Sequence, residues 1–83
     1  MFLVTEDEEL IVTAMGTSIA IFKKDASNYT LEQTLGGSAM KGLALSADRQ
    51  ELVSCLWTLQ VHRHNGTQFT LNQTISLRFE FFK

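Results

Sequence analysis

Apolar positions in this chain fall in short runs separated by polar turns, and the runs come in two sets of four. The first set reads FLVT (2–5), ELIVTAM (9–15), SIAIFK (18–23) and YTLEQTL (29–35). The second reads GLALS (42–46), ELVSCL (51–56), TLQVHRH (58–64) and FTLNQTI (69–75). Runs of this length, rich in Val, Ile, Leu, Thr and aromatics, predict strands, and no stretch sustains the 3.6-residue period of a helix. Between them EDE, MGT, KDASN, ADRQ, CLW and HNGTQ read as hairpin connections, with Asn65-Gly66 supplying the positive φ angles of a tight reversal. GGSAMK (36–41) links the two sets.

The sets are copies of one unit. YTLEQTL returns 40 residues later as FTLNQTI, and at the same spacing Ile19-Ala20-Ile21-Phe22-Lys23 falls on Leu59-Gln60-Val61-His62-Arg63. Further back the spacing is 41, placing Phe2-Leu3-Val4-Thr5 on Leu43-Ala44-Leu45-Ser46, Asp7 on Asp48, and Ile11-Val12-Thr13 on Leu52-Val53-Ser54. One residue is therefore missing between Ser54 and Thr58, where a turn absorbs it. In the last strand of each unit, alternation puts Tyr29, Leu31 and Gln33 on one side and Thr30, Glu32 and Thr34 on the other.

A period of about 40 to 45 residues with four strands per unit is the signature of a propeller blade. LALSADRQELVSCLWTLQVHRH resembles the body of a WD-repeat β-propeller blade, in which a strand ending in Ser precedes an Asp-containing turn, an apolar second strand and a third strand of the form Thr-Ile-x-Val-Trp. Ser46, Asp48, Leu52, Val53, Ser54 and Thr58-Leu59-Gln60-Val61 match in place, as do Thr5, Asp7, Ile11, Val12, Thr13 and Ser18-Ile19-Ala20-Ile21 in the first unit. The family's Trp-Asp is here Phe22-Lys23 and His62-Arg63, its Gly-His is Gly36-Gly37, and the Asp between second and third strands is missing. Those departures predict blades braced by apolar packing rather than by a buried His/Asp network.

The expected fold is all-β: two four-stranded antiparallel β-propeller blades. Residues 1–35 form the first, 36–75 the linking loop and the second, and 76–83 a tail. Known propellers use four to eight blades, each apolar on both faces. Two blades bury one interface and leave two apolar faces open, which predicts association. The expected partners are other copies of the chain, in a ring of three or four, or a completing chain. In the tail, Leu77, Phe79 and Phe81 alternate with Arg78 and Glu80, the pattern of a half-buried strand that clasps a neighbouring chain.

Composition narrows the function classes. A net charge of −2, from seven basic and nine acidic residues, offers no concentrated basic face for nucleic acid. No 18-residue apolar run marks a membrane span, the apolar start breaks at Glu6, and the single cysteine, Cys55, suits a reducing compartment, so a cytoplasmic protein is expected. His62, His64 and Cys55 invite a zinc site, but His62 stands where Phe22 stands in the first unit and His64 where Lys24 does, so packing and surface roles account for them. No glycine-bracketed serine and no phosphate loop appears, so neither an enzyme nor a cofactor is expected. Trp57 falls in the turn between second and third strands, on the same side as Met40 and Lys41 of the linking loop, with Met15 before the matching turn. Aromatic anchors are enriched at binding hot spots. The expected function is a protein-interaction scaffold presenting this loop face, with Trp57, Met40, Lys41 and Met15 touching an unknown protein partner. The competing class is a lectin-like propeller with one pocket per repeat; a third is a fragment of a longer propeller protein with no activity of its own.

Overall fold

The computed structural model describes residues 1–36, 41–55 and 58–76. They form two four-stranded antiparallel sheets, with no helix among the described residues. The first contains β1 (Phe2–Val4), β2 (Leu10–Met15), β3 (Ser18–Asp25) and β4 (Asn28–Gly36), in that spatial order. The second contains β5 (Gly42–Leu45), β6 (Glu51–Cys55), β7 (Thr58–His64) and β8 (Phe69–Ser76), ordered likewise. Each strand pairs with the next in sequence, the arrangement short hairpin connections favour.

The repeat holds at the level of hydrogen-bond register. Leu3 faces Val12 as Ala44 faces Val53, Ile21 faces Val12 as Val61 faces Val53, and Leu35 faces Ile19 as Ile75 faces Leu59. The pairs Ala14 with Ile19 and Cys55 with Leu59 place the missing residue of the second unit between Cys55 and Leu59.

The first turn of each sheet is built by the same side chains. In the first sheet the Thr5 hydroxyl donates to Asp7 Oδ1 at 2.8 Å, the Glu9 N–H donates to the same oxygen at 3.0 Å, and the Leu10 N–H donates to Thr5 Oγ1 at 3.0 Å. Ser46, Asp48, Gln50 and Glu51 repeat this set at 2.6, 3.0 and 3.0 Å. Hydroxyl and carboxylate thus satisfy the backbone donors that the reversal leaves over. Both turns place a residue in the left-handed region, Glu8 at φ 64 and Arg49 at φ 63.

At the third connection Gly66 takes φ 106, but Asn65 is not among the positive-φ residues, a departure from the paired expectation. Asn65 contributes through its side chain, whose Oδ1 accepts from the Thr67 and Gln68 N–H groups at 2.9 and 3.0 Å.

The outer strands depart from simple alternation. Ile21 pairs with Gln33 and the next residue, Phe22, with Leu31, so Glu32 is an extra residue in β4; Val61, Gln73, His62 and Leu71 leave Asn72 extra in β8. Such a bulge switches the side to which later residues point. Gln33 and Leu31 therefore lie on opposite faces, correcting the expectation that both share one side with Tyr29.

The core forms where the sheets stack. Val12, Ile19, Ile21 and Leu35 of the first sheet cluster with Leu52 and Phe69 of the second, all at most 7% exposed, and Leu3, Leu10, Ala14, Leu43 and Leu45 pack around them. Register parity identifies the faces. The first sheet buries the face of Val12, Ile21 and Leu35, whose counterparts in the second sheet are Val53, Val61 and Ile75. The second sheet instead buries the face of Leu52, His62 and Phe69, whose counterparts in the first are Ile11, Phe22 and Tyr29. The contact is heterologous: one sheet uses one side of the repeat and its neighbour uses the other.

Candidate functional site

Gln33 and Arg49 make polar contacts between the sheets, each to a residue far away in sequence. The half-buried Gln33 side chain spans the junction: its Nε2 donates to the Phe69 carbonyl at 2.6 Å, and the Phe69 N–H donates to its Oε1 at 2.8 Å. One amide thus satisfies both backbone groups of an edge-strand residue of the other sheet. At the turns, Arg49 donates to Asp7 Oδ2 at 2.6 Å, tying the first turn of one sheet to that of the other.

The hydrogen bond from Arg49, with those from the Glu9 N–H and the Thr5 hydroxyl, holds the Asp7 carboxyl down at about 2. Asp48 is also lowered, first by the Ser46 hydroxyl and then by the Gln50 N–H.

The buried face of the second sheet carries Gln60 and His62 where the first sheet has apolar side chains, and keeps a hydroxyl at the third position. Ser54, Gln60 and His62 stand at the places of Thr13, Ala20 and Phe22. Among the described residues, Ser54 Oγ, Gln60 Oε1 and His62 Nδ1, and on the first sheet Thr13 Oγ1, are buried with no hydrogen-bond partner. His62 is 4% exposed, and burial lowers its pKa below the usual 6.5. A neutral buried histidine must charge in acid, so its contribution is complete above the unfolded pKa and falls away as pH drops below 6.5 toward the lowered folded value. The two aspartates act lower: their contribution is complete above 3.8 and is lost as pH falls from there, for Asp7 toward about 2. A melting-temperature profile is expected to show a first decline below about pH 6.5, from the reference histidine pKa, and a second in the carboxylate range. His62→Phe, which copies Phe22, should remove the first decline and leave the second; an unchanged first decline would assign it elsewhere.

A cleft of about 310 Å³ opens along the junction, with Leu10, Ile21 and Phe69 among its apolar liners and Lys23, Glu32 and Arg49 among its charged ones. A second, of about 380 Å³, includes Leu3, Val4, Leu45, Ala47 and Arg49 in its lining. His64 shares the His62 side of β7 and meets Phe69 edge to face, with ring centroids 4.9 Å apart. Among the described residues, no group of three or more His, Cys, Asp and Glu side chains comes together in a way that would hold a metal ion.

Of the residues singled out in the sequence, Met15 ends β2 opposite Ser18, and the exposed Lys41 donates its N–H to the Cys55 carbonyl at 3.0 Å. Both therefore lie at the same end of the stacked sheets. Trp57, Met40, Leu77, Phe79 and Phe81 lie outside the described residues. Sequence reasoning missed Gln33 and Arg49 as junction residues. The available signal was the identity of Gln33 and Gln73 within the echo, which marks a place where the side chain matters.

The open faces carry apolar side chains. Phe2, Val4, Tyr29 and Leu31 on the first sheet are 68, 43, 37 and 57% exposed, and Ile75 on the second is 39% exposed. No helix among the described residues is long and apolar enough to cross a membrane. Comparison with protein-family models, curated proteins and solved structures finds no match.

Proposed function

We propose that this chain is a protein-interaction scaffold made of two WD-like propeller blades, which joins copies of itself into a ring of three or four chains and offers one loop end to a protein partner. The observation that carries this reading is the equivalence of faces: the side of the repeat that each sheet buries is the side that the other leaves open. Such a chain holds both halves of one heterologous interface, and repeated heterologous contacts make rings when the rotation closes. The exposed Phe2 and Leu31 on one open face and Ile75 on the other support the reading, because open apolar surface favours association. Lys41 and Met15 mark the partner-facing end; Trp57 and Met40 belong to the same connections by sequence, and the Leu77, Phe79 and Phe81 tail acts as a clasp between chains.

The lectin-like alternative needs an equivalent pocket at every junction. Transposed to a junction between chains, the cleft that opens on Leu10, Lys23 and His64 would have Glu51, Arg63 and Lys24 in their places. That change of lining favours the scaffold. Sedimentation over a dilution series is expected to show reversible assembly, and a folded monomer at every concentration would remove the proposal. Trp57→Ala is expected to leave assembly intact and abolish partner binding; unchanged partner binding would remove Trp57 from the site.

A further inference from the structure

The internal junction specifies, residue by residue, what a junction between two chains contains. We infer that the open face of the second sheet seats on the open face of the first sheet of another copy, in the register of the internal contact, and that an acid pair, Asp48 against Glu8, holds this joint weaker than the internal one. The inference rests on the scaffold reading above and deepens it.

The apolar centre transfers well. Val53, Leu59, Val61 and Ile75 stand where Val12, Ile19, Ile21 and Leu35 stand internally, and they meet Ile11, Phe22 and Tyr29 in place of Leu52, His62 and Phe69. The receiving face is more apolar than its internal counterpart, since Phe22 replaces the buried His62 and Ala20 replaces Gln60. The amide clamp transfers as well. Gln73 occupies the register position of Gln33, opposite Val61 as Gln33 is opposite Ile21, and is exposed within the chain; Tyr29 occupies the position of Phe69. Gln73 therefore takes the N–H and C=O of Tyr29 in the next copy.

The ion pair does not transfer. Internally Asp7 of the first sheet meets Arg49 of the second. One step along, the aspartate is Asp48 and the residue in the place of Arg49 is Glu8, both built into turns with the same hydrogen bonds and the same left-handed residue. Two carboxylates then meet where the internal junction has an attraction. Like charges at a partly exposed contact oppose association and are screened by salt.

The wild-type chain is therefore expected to assemble more tightly as ionic strength rises. Glu8→Arg restores the internal pairing, and Arg49 already adopts this backbone conformation, so the turn accepts arginine. Partly exposed ion pairs are modest, so removing the repulsion and gaining the pair should lower the dissociation constant of each joint about five- to tenfold. Glu8→Gln removes only the repulsion and should give a smaller gain. The test is sedimentation equilibrium of wild type, Glu8→Arg and Glu8→Gln at low and high salt, with circular dichroism checking that each is folded. Tighter assembly of both variants, with a salt dependence that reverses sign in Glu8→Arg, supports the joint. Assembly of the wild type with a dissociation constant that neither variant changes overturns this register and leaves the scaffold reading standing. Wild type and both variants remaining folded monomers throughout overturns both.

Discussion

Ile21→Ala is expected to lower the unfolding free energy by about 3 to 4 kcal/mol, the range for removing most of a buried isoleucine from a core that cannot collapse around the gap. Ile21 is 2% exposed and sits between Val12 and Gln33 at the centre of the stacked sheets. Domains of this length hold roughly 4 to 12 kcal/mol in total, so the loss is about a quarter to a third of the whole at the upper end and nearly all of it at the lower. Val61→Ala makes a similar truncation at the corresponding place of the second unit, where the side chain is only half-buried. In dilute, separated chains it should cost about 1 kcal/mol or less, while weakening assembly, because in the proposed joint between copies Val61 becomes core. Urea unfolding at low protein concentration reads the first effect and sedimentation reads the second. Equal losses for both variants in separated chains would contradict the assignment of one buried and one open face.

Gln33→Ala should cost about 2 kcal/mol, because it strips two hydrogen bonds and leaves the Phe69 N–H and C=O without their partner at a partly buried edge. Gln73→Ala, its repeat counterpart, should change the stability of separated chains by less than about 0.5 kcal/mol, the usual effect of an exposed substitution. It should nevertheless loosen the assembled form. A stability loss shared equally by the two would mean that the identical glutamines serve a purpose inside each sheet rather than between sheets. Urea denaturation of each variant, paired with sedimentation, separates those outcomes.

Much of this architecture was legible in the chain because it depends on local chemistry. Alternating apolar runs specify strands, and a hydroxyl two residues before an aspartate specifies the turns at Thr5 to Asp7 and Ser46 to Asp48. His62 is buried although its counterpart Phe22 stands on the open face of the first sheet, so the repeat places the two side chains alike without giving them the same surroundings. The bulges at Glu32 and Asn72 were not legible, because YTLEQTL alternates smoothly in sequence and the extra residue appears only when β4 is paired against β3. That one residue moves Gln33 to the face opposite Leu31 and makes it a clamp on Phe69. The Asp7 to Arg49 pair was equally hidden, since two exposed turns 42 residues apart meet only once the sheets are stacked. The repeat therefore disclosed each sheet, while the contacts between sheets required the register.

In the proposed ring, the faces left open by one chain complete those of another. Native mass spectrometry of the wild-type chain over rising concentration tests it most directly. A discrete species of three or four 9.3 kDa chains is expected, more populated as salt or concentration increases. A single folded 9.3 kDa chain at every concentration would contradict it.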